Sequence, residues 1–250
     1  DLIISSNLMG LTFNLPRSLK KLAKLYIHIV HDVQLLHPSG LFLVGEKHGG
    51  LMEGIYQFIS RWLFGSPAVV VFPSQWLASE YRARNFFPAS QIKVLKNPWP
   101  AAPAPVKKEF GQPLKLLYDG QAVEHKGIFW LIRTLLPQSS HDWQLTIILR
   151  GSLKKRQQIK QLVSGDNRFS VLEDEPQIGV IKHYQEANLV IVPSLCMENA
   201  PVSITQALAS GTPVLASNVG GVPELIKTNE EGWLFAAGDS KEFHLRFFQA

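Results

Sequence analysis

Residues 189–213 have the sequence LVIVPSLCMENAPVSITQALASGTP, and this stretch determines the fold class. It starts with the apolar run Leu189–Val192, which has the length of a buried strand. A polar loop follows, and Pro201 then stands where a helix takes its first residue, since proline is pre-organised for that position. We expect a helix over Val202–Ser210 and a second strand from Pro213. A strand, a crossover helix and another strand are the repeating unit of a parallel α/β sheet.

The same alternation of apolar runs and helical periods extends over the second half of the chain. The predicted strands are Leu114–Tyr118, Gln144–Leu149, Phe169–Leu172, Leu189–Val192, Pro213–Ala216 and Gly232–Phe235. The predicted helices are Gly127–Leu136, Leu153–Val163, Ile178–Ala187, Val202–Ser210 and a short one after Val222. Six strands with five crossovers predict a doubly wound sheet, which binds its ligands at the carboxyl ends of the strands.

The first half of the chain has fewer elements of the same kind. Strands are expected at Leu2–Ile4, Leu25–Val30, Ala68–Phe72 and Ile92–Leu95, and helices near Leu15–Lys24, Gly54–Phe64 and Gln75–Asn85. Because a strand follows Asp1 at once, we expect the chain to begin inside this domain, which is then incomplete. Four prolines in residues 97–105 exclude a regular element and indicate a linker. The sequence therefore predicts two domains, residues 1–107 and 108–250.

The composition indicates a globular protein, with 46% apolar and 18% charged residues. Up to Pro113 there are 12 basic and 6 acidic residues, so the first half holds all of the net charge of +5. The apolar runs are far shorter than a membrane span. One cysteine, Cys196, excludes an internal disulfide and agrees with a reducing compartment. We expect a cytoplasmic protein that has no nucleic-acid partner.

Three loops that follow predicted strands of the second domain have residues suited to a phosphate ligand. In residues 119–127 a glycine lets the backbone approach a ligand, and Lys126 supplies a positive charge. Residues 193–201 contain Glu198 and lead into a helix whose first N–H groups favour an anion. Residues 218–224 add a pair of glycines. Each loop alone is equally consistent with an ordinary turn, but three loops at one sheet edge favour a ligand site.

Other polar patterns indicate no further chemistry. His31-Asp32 is not accompanied by the Gly-x-Ser-x-Gly elbow of a hydrolase. His37, His48 and His125 do not have the spacing of metal ligands, and the sequence has no Asp-x-Asp pair. The sequence therefore predicts no metal site and no cofactor.

Several motifs, taken in their order, resemble family 4 (group 1) glycosyltransferases. The motifs similar to the donor domain are Gly120 with Lys126-Gly127, Pro193-Ser194 with Glu198-Asn199 and Pro201, Ala209–Val214, and Gly220–Glu224. In the first half, His31-Asp32-Val33, Pro73-Ser74 and Asn97-Pro98 resemble the acceptor domain. The resemblance implies an α/β fold of the GT-B type, in which two Rossmann-like doubly wound domains face each other across a cleft, the N-terminal one being incomplete here.

The resemblance also implies an activity. It is the metal-independent transfer of a hexose-type sugar from a UDP- or GDP-sugar to a glycan or lipid-linked acceptor, with retention of anomeric configuration. Lys126 would bind the donor diphosphate, Glu198 the sugar hydroxyls and Gln206 the ribose. The implied donor-binding residues are Gly120, Gln121, Lys126, Glu198, Asn199, Ala200, Val202 and Gln206, and the implied catalytic residues are His31, Lys126 and Glu198.

Two residues depart from the pattern of that family. Gln121 stands where the family usually has arginine, and Gln206 stands where it usually has a second glutamate. These differences leave open a second hypothesis, a catalytically weak or inactive protein that binds a sugar nucleotide. A nucleotide-sugar epimerase is a further alternative, but it would need more carboxylates. Because the family places a Gly-rich loop ahead of the matching residues, we expect the 250-residue chain itself to be inactive.

Residues 15–24 predict an amphipathic helix, with leucines on one face and Arg17, Lys20, Lys21 and Lys24 on the other. Two interpretations stay open, an ordinary surface helix and a peripheral contact with an anionic membrane. The second would place the protein at the inner face of the membrane.

Overall fold

The chain divides into two α/β units, Asp1–Asn97 and Pro98–Ala250, in a computed structural model. The structure describes residues 1–6, 8, 12, 14–98, 111, 113–138, 142–227 and 229–249. The predicted domain boundary between residues 107 and 108 and most of the predicted linker lie outside these residues.

The first unit contains a parallel sheet of four strands and three helices. The strands are β1 (Leu2–Ser6), β2 (Leu25–Ile29), β3 (Val69–Phe72) and β4 (Gln91–Val94). The helices are α1 (Leu15–Leu22), α2 (Leu51–Phe64) and α3 (Gln75–Ala83). The strands lie in the order β1-β2-β3-β4, which is their order in the chain.

This strand order determines which face of the first sheet is covered. Parallel strands that follow one another through right-handed crossovers have all their helices on one face. The side chains alternate accordingly, since Tyr26 and His28 of β2 are buried, whereas Leu2 and Ile4 of β1 are 56% and 57% exposed. The described part of this unit is therefore wound in one direction only.

The second unit contains a parallel sheet of six strands. They are β5 (Leu114–Gln121), β6 (Trp143–Arg150), β7 (Phe169–Glu173), β8 (Leu189–Val192), β9 (Val214–Ser217) and β10 (Gly232–Phe235). The helices are α4 (Ile128–Leu135), α5 (Leu153–Leu162), α6 (Gln177–Glu186), α7 (Val202–Ala209) and α8 (Ser240–Phe247), and Glu124–Lys126 and Val222–Glu224 form short 3₁₀ turns.

The second sheet is doubly wound. Its strand order is β10-β9-β8-β5-β6-β7, so the chain moves outward from β5 to β7 and then returns to the other side of β5. Successive side chains of β5 face opposite sides, with Leu116 and Tyr118 in one buried cluster and Leu117 in the other. The direction of winding reverses between β5 and β8, and in such sheets ligands bind beyond the carboxyl ends of the two strands at this point.

The predicted elements are confirmed, with shifts of one to three residues at many of their ends, and the short helix expected after Val222 is the 3₁₀ turn Val222–Glu224. All ten predicted strands are present, but β5 continues through Gln121 because it pairs with β6 as far as Arg150. Helix α2 begins at Leu51 rather than at Gly54, which lies inside the helix. Helix α8 was not predicted, although Asp239 caps it by accepting hydrogen bonds from Lys241 N and Glu242 N. An Asp-x-x-Glu pattern ahead of an apolar residue indicates such a helix start.

Candidate functional site

Lys126 and Glu198 meet at the reversal point of the second sheet. Lys126 ends the 3₁₀ turn that follows β5, and Glu198 lies in the loop that follows β8. Lys126 Nζ is 2.7 Å from Glu198 Oε1, and the two side chains are 31% and 11% exposed. The two charged groups that the sequence predicted for a phosphate-sugar ligand therefore lie side by side.

Gly127 allows the turn after β5 to contact the loop after β8. Its φ is +75°, and a Cβ atom at this position would lie 1.8 Å from the Pro193 carbonyl oxygen. The two loops also share a backbone hydrogen bond of 2.8 Å from Leu195 N to His125 O. Only glycine satisfies both the left-handed backbone and the close approach, so this residue fixes Lys126 relative to Glu198.

The third predicted loop supports Glu198 from its backbone side. Gly221 N donates a 2.7 Å hydrogen bond to Glu198 O. Gly220 has φ +55°, and a Cβ there would lie 2.1 Å from the same oxygen. The loop that contains Glu198 thus contacts each of the other two loops at one edge of the sheet.

The carboxylate of Glu198 is held through one of its oxygens. Oε1 accepts hydrogen bonds from Ser194 Oγ at 2.6 Å and from Lys126 Nζ at 2.7 Å. Within the part of the chain that the structure describes, Oε2 has no hydrogen-bond partner. The group is therefore oriented by the protein and keeps one oxygen that can accept from a ligand hydroxyl.

The end of β5 is rigidly held next to this pair. The Asp119 carboxylate is 4% exposed and lies 2.5 Å from Arg150 NH1. Tyr184 OH donates to it at 3.0 Å. Tyr118 OH donates to the Gln121 carbonyl at 3.0 Å. The Gln121 residue itself is exposed. Gln121 is thus a strand residue with a fixed backbone and an accessible side chain.

Helix α7 begins directly after the Glu198 loop. Pro201 is its N-cap residue rather than its first residue, and no side chain caps the helix by a hydrogen bond. Val202 is 50% exposed and Ala200 is buried. Backbone N–H groups in an uncapped first turn favour an anionic ligand, so this end of the helix adds to the positive side of the site.

The remaining predicted site residues lie in different surroundings. Gln206, in the second turn of α7, is 5% exposed. Asn199 is half-buried beside Glu198. His31 belongs to the first unit, where it is exposed and its Nε2 lies 2.8 Å from Ser6 Oγ. Contact of Gln206 with a ribose and of His31 with a sugar both stay predictions.

The buried nucleophiles near the site are held in their neutral forms. Burial raises the pKa of Cys196 to about 12, and the Glu198 carboxylate adds to the shift. Burial, with the Glu198 carboxylate as the second cause, raises the pKa of Tyr118 far above its usual value. At neutral pH neither group is an anion, and the thiolate is the nucleophilic form of cysteine. Burial therefore disfavours Cys196 as a covalent nucleophile.

The residues that orient the site have no recognisable pattern in the sequence. Ser194 lies in a quoted motif, yet its contact with Glu198 requires the loop to fold back over four residues. Asp119, Arg150 and Tyr184 come from three separate elements. Asp119 lies at the end of β5, and its buried carboxylate is held there by Arg150 and Tyr184.

The fold and the site together define a doubly wound α/β domain with a lysine–glutamate pair and a helix N-terminus at its reversal point. Residues 113–247 match the sequence model of the family described as "Glycosyl transferases group 1". The chain belongs to this family.

Comparisons with individual proteins extend this result. The amylovoran biosynthesis glycosyltransferase AmsK of Erwinia amylovora is 34% identical over 140 residues, which cover 52% of this chain and 34% of AmsK. Sucrose-phosphate synthase from Thermosynechococcus elongatus superposes with a TM-score of 0.77 at 19% identity, over 99% of this chain and 63% of that one. The structure of Anabaena HepE in complex with UDP-glucose superposes with a TM-score of 0.75 at 18% identity, over 99% of this chain and 67% of HepE.

These figures confirm a GT-B type fold with two Rossmann-like units. The chain spans only about a third of the length of AmsK and less than two thirds of sucrose-phosphate synthase.

Proposed function

We propose that this protein transfers a hexose-type sugar from a UDP- or GDP-sugar to a glycan or lipid-linked acceptor, with retention of configuration. The observation that carries the proposal is the contact between Lys126 and Glu198 at the reversal point of the second sheet. The solved complex of HepE with UDP-glucose, which has the same fold, supports a nucleotide sugar as the donor. The name of AmsK, a relative in amylovoran biosynthesis, supports a glycan acceptor.

In this proposal each group has one task. Lys126 and the N-terminus of α7 stabilise the negative charge that develops on the diphosphate leaving group. Glu198 Oε2 accepts a hydrogen bond from a hydroxyl of the donor sugar, while Ser194 orients the carboxylate by donating to Oε1. Gln206 contacts the ribose, and a catalytic role of His31, which belongs to the first unit, stays a prediction of the resemblance. In this proposal catalysis consists of positioning and electrostatic stabilisation, with the acceptor attacking on the face from which the diphosphate leaves.

Restoring a positive charge at Gln121 is expected to raise donor affinity or turnover by about 10-fold, because an added guanidinium can pair bidentately with phosphate oxygens. Steady-state kinetics of Gln121→Arg in the full-length protein measure this effect. Gln161→Arg is the matched control, since Gln161 is an exposed residue on α5. If the protein only binds sugar nucleotides, affinity rises while turnover stays at zero. If neither quantity changes, Gln121 is not part of the site.

Transfer is expected to proceed without Mg²⁺ or Mn²⁺, because Lys126 and the α7 N-terminus supply the positive charge that a divalent ion supplies elsewhere. The rate in EDTA should therefore lie within about 2-fold of the rate with added Mg²⁺. A rate that disappears in EDTA and returns with Mn²⁺ contradicts metal-independent transfer.

We also propose that the first unit contacts an anionic membrane on the cytoplasmic side through α1 and α2. None of the described helices has the length and apolar character that crossing a bilayer requires. Helix α2 instead has an exposed apolar stripe at helical spacing, formed by Leu51, Met52, Ile55, Phe58, Ile59 and Trp62. Arg17 of α1 lies over the Trp62 ring at 4.9 Å, and Lys21 and Lys24 are exposed nearby in sequence. Exposed apolar stripes with a basic border favour anionic lipid surfaces.

Flotation with vesicles tests this contact. The protein is expected to bind phosphatidylcholine vesicles that contain phosphatidylglycerol, and to bind less in high salt because salt screens the lysine charges. Phe58→Ser with Trp62→Ser should reduce binding more than 10-fold, since each buried aromatic contributes about 1.5–3 kcal/mol. Ile178→Ser is the control, because Ile178 is 81% exposed on α6. Equal loss in the control, or no binding at all, refutes the contact.

A further inference from the structure

We propose that His37, His48 and Glu53 form a Zn²⁺ site in the first unit. The three residues lie in the loop after β2 and in the first turn of α2, and a potential ligand atom of each lies within 4.8 Å of the other two. Two imidazoles and one carboxylate are a ligand set that zinc takes in proteins, with a fourth position left for water. The site lies outside the second unit and does not depend on the transferase proposal.

The geometry requires only a small closure. Zinc–nitrogen and zinc–oxygen distances of about 2.0–2.1 Å place tetrahedral ligand atoms about 3.4 Å apart. From the present separation of at most 4.8 Å, the ligand atoms approach by about 1.4 Å. Side-chain rotations of the two histidines, which are half-buried rather than fixed in the core, supply this movement.

His48 provides an observation that points to a ligand. Its Nε2 is shielded from solvent and has no hydrogen-bond partner among the described residues. A buried nitrogen that bonds to nothing is unfavourable, and such groups require an explanation. The ring lies against the buried Phe42, with centroids 4.2 Å apart, and its edge faces the His37 ring at 5.8 Å. A metal ion bound between the two imidazoles satisfies this nitrogen.

The Glu53 carboxylate is oriented by hydrogen bonds to both of its oxygens, as the carboxylate ligands of metal sites are. Gly49 N donates to Glu53 Oε2 at 2.7 Å, and Gln57 Nε2 donates to Oε1 at 2.9 Å. The same Gln57 nitrogen donates to Leu36 O, next to His37, at 3.0 Å. Each carboxylate oxygen keeps a second lone pair for a metal. Gln57 therefore orients Glu53 and ties it to the backbone next to His37, as outer-shell partners of metal sites do.

His37 also has an outer-shell partner. Its Nδ1 lies 2.7 Å from Ser39 Oγ, and that hydroxyl can donate onward to Leu41 O at 3.3 Å. Ser39 N also donates to Nδ1 at 3.3 Å, and Nε2 carries a lone pair for a metal in the tautomer whose Nδ1–H donates to the Ser39 hydroxyl instead. The site thus joins the loop after β2 to α2, so that bound zinc would stabilise the first unit.

Zinc binding to the untagged chain tests the proposal. We expect one Zn²⁺ per chain by competition with a chromophoric chelator, and a rise in Tm of about 5 °C in saturating zinc. His37→Ala and His48→Ala should each weaken zinc binding at least 100-fold, and Gln57→Leu should weaken it about 10-fold. His183→Ala is the control, because this half-buried histidine lies on α6 in the second unit.

Circular dichroism of each variant without zinc separates loss of the site from misfolding, and Glu53→Gln supplies a variant that keeps the size of the side chain. Absence of a stoichiometric zinc ion, or equal affinity in the wild type and the folded His48→Ala protein, overturns the proposal.

Discussion

Gly127→Ala is expected to abolish donor binding and to lower the free energy of unfolding by more than about 3 kcal/mol. The new Cβ would lie 1.8 Å from the Pro193 carbonyl oxygen, which belongs to backbone and cannot rotate away. Either the turn after β5 or the loop after β8 must move, and both movements separate Lys126 from Glu198. Losses of this size are exceptional and indicate a specific structural conflict.

Gly165→Ala is the matched control for backbone strain. Gly165 has φ +85°, close to the +75° of Gly127, but a Cβ there would meet nothing within 4 Å. This variant should lose only the cost of a left-handed alanine, about 1–2 kcal/mol, and should keep its donor affinity. Urea denaturation and nucleotide titration of both variants make the comparison. If the two variants lose the same stability and both still bind nucleotide, the predicted clash between a Cβ at position 127 and the Pro193 carbonyl is contradicted.

Lys126→Ala is expected to lower turnover by about 10²–10³-fold, the usual effect of removing one preorganised electrostatic group. Affinity for the nucleoside diphosphate should fall by roughly 10- to 100-fold, the size of one charge-assisted hydrogen bond. The reason is that Lys126 supplies a positive charge at the proposed diphosphate position, and its removal also takes away the salt-bridge partner of the largely buried Glu198.

Lys182→Ala serves as the control for Lys126→Ala. Lys182 is 72% exposed and its partner is Glu186 on the same helix, α6. Exposed pairs of this kind contribute about 0.5 kcal/mol or less, so kinetics and affinity should match the wild type. Unchanged nucleotide affinity in Lys126→Ala removes this residue from the donor site.

Much of the fold could be predicted because the apolar runs are unambiguous. Leu189–Val192 is buried at every position, as a central strand of a doubly wound sheet must be. The candidate residues Lys126 and Glu198 were found because each follows a predicted strand, and the carboxyl ends of parallel strands share one edge.

The details that orient the site could not be predicted from spacing. The hydrogen bond from Ser194 to Glu198 depends on the path of one loop, and the Asp119–Arg150 pair depends on the register of two strands. His37, His48 and Glu53 are separated by intervals that match no metal motif, and the fold of the loop after β2 brings them together. Such contacts are set by tertiary packing rather than by local sequence.

The most direct test of the account is a thermal-shift and calorimetric panel of nucleotide sugars with the full-length protein. We predict that at least one UDP- or GDP-sugar raises Tm and binds with a Kd in the range of about 1 µM to 1 mM, where substrate constants usually lie. The corresponding free sugar should cause no shift. If no UDP- or GDP-sugar, and neither UDP nor GDP, stabilises the protein at millimolar concentration, the edge formed by Lys126, Glu198 and α7 is not a donor site.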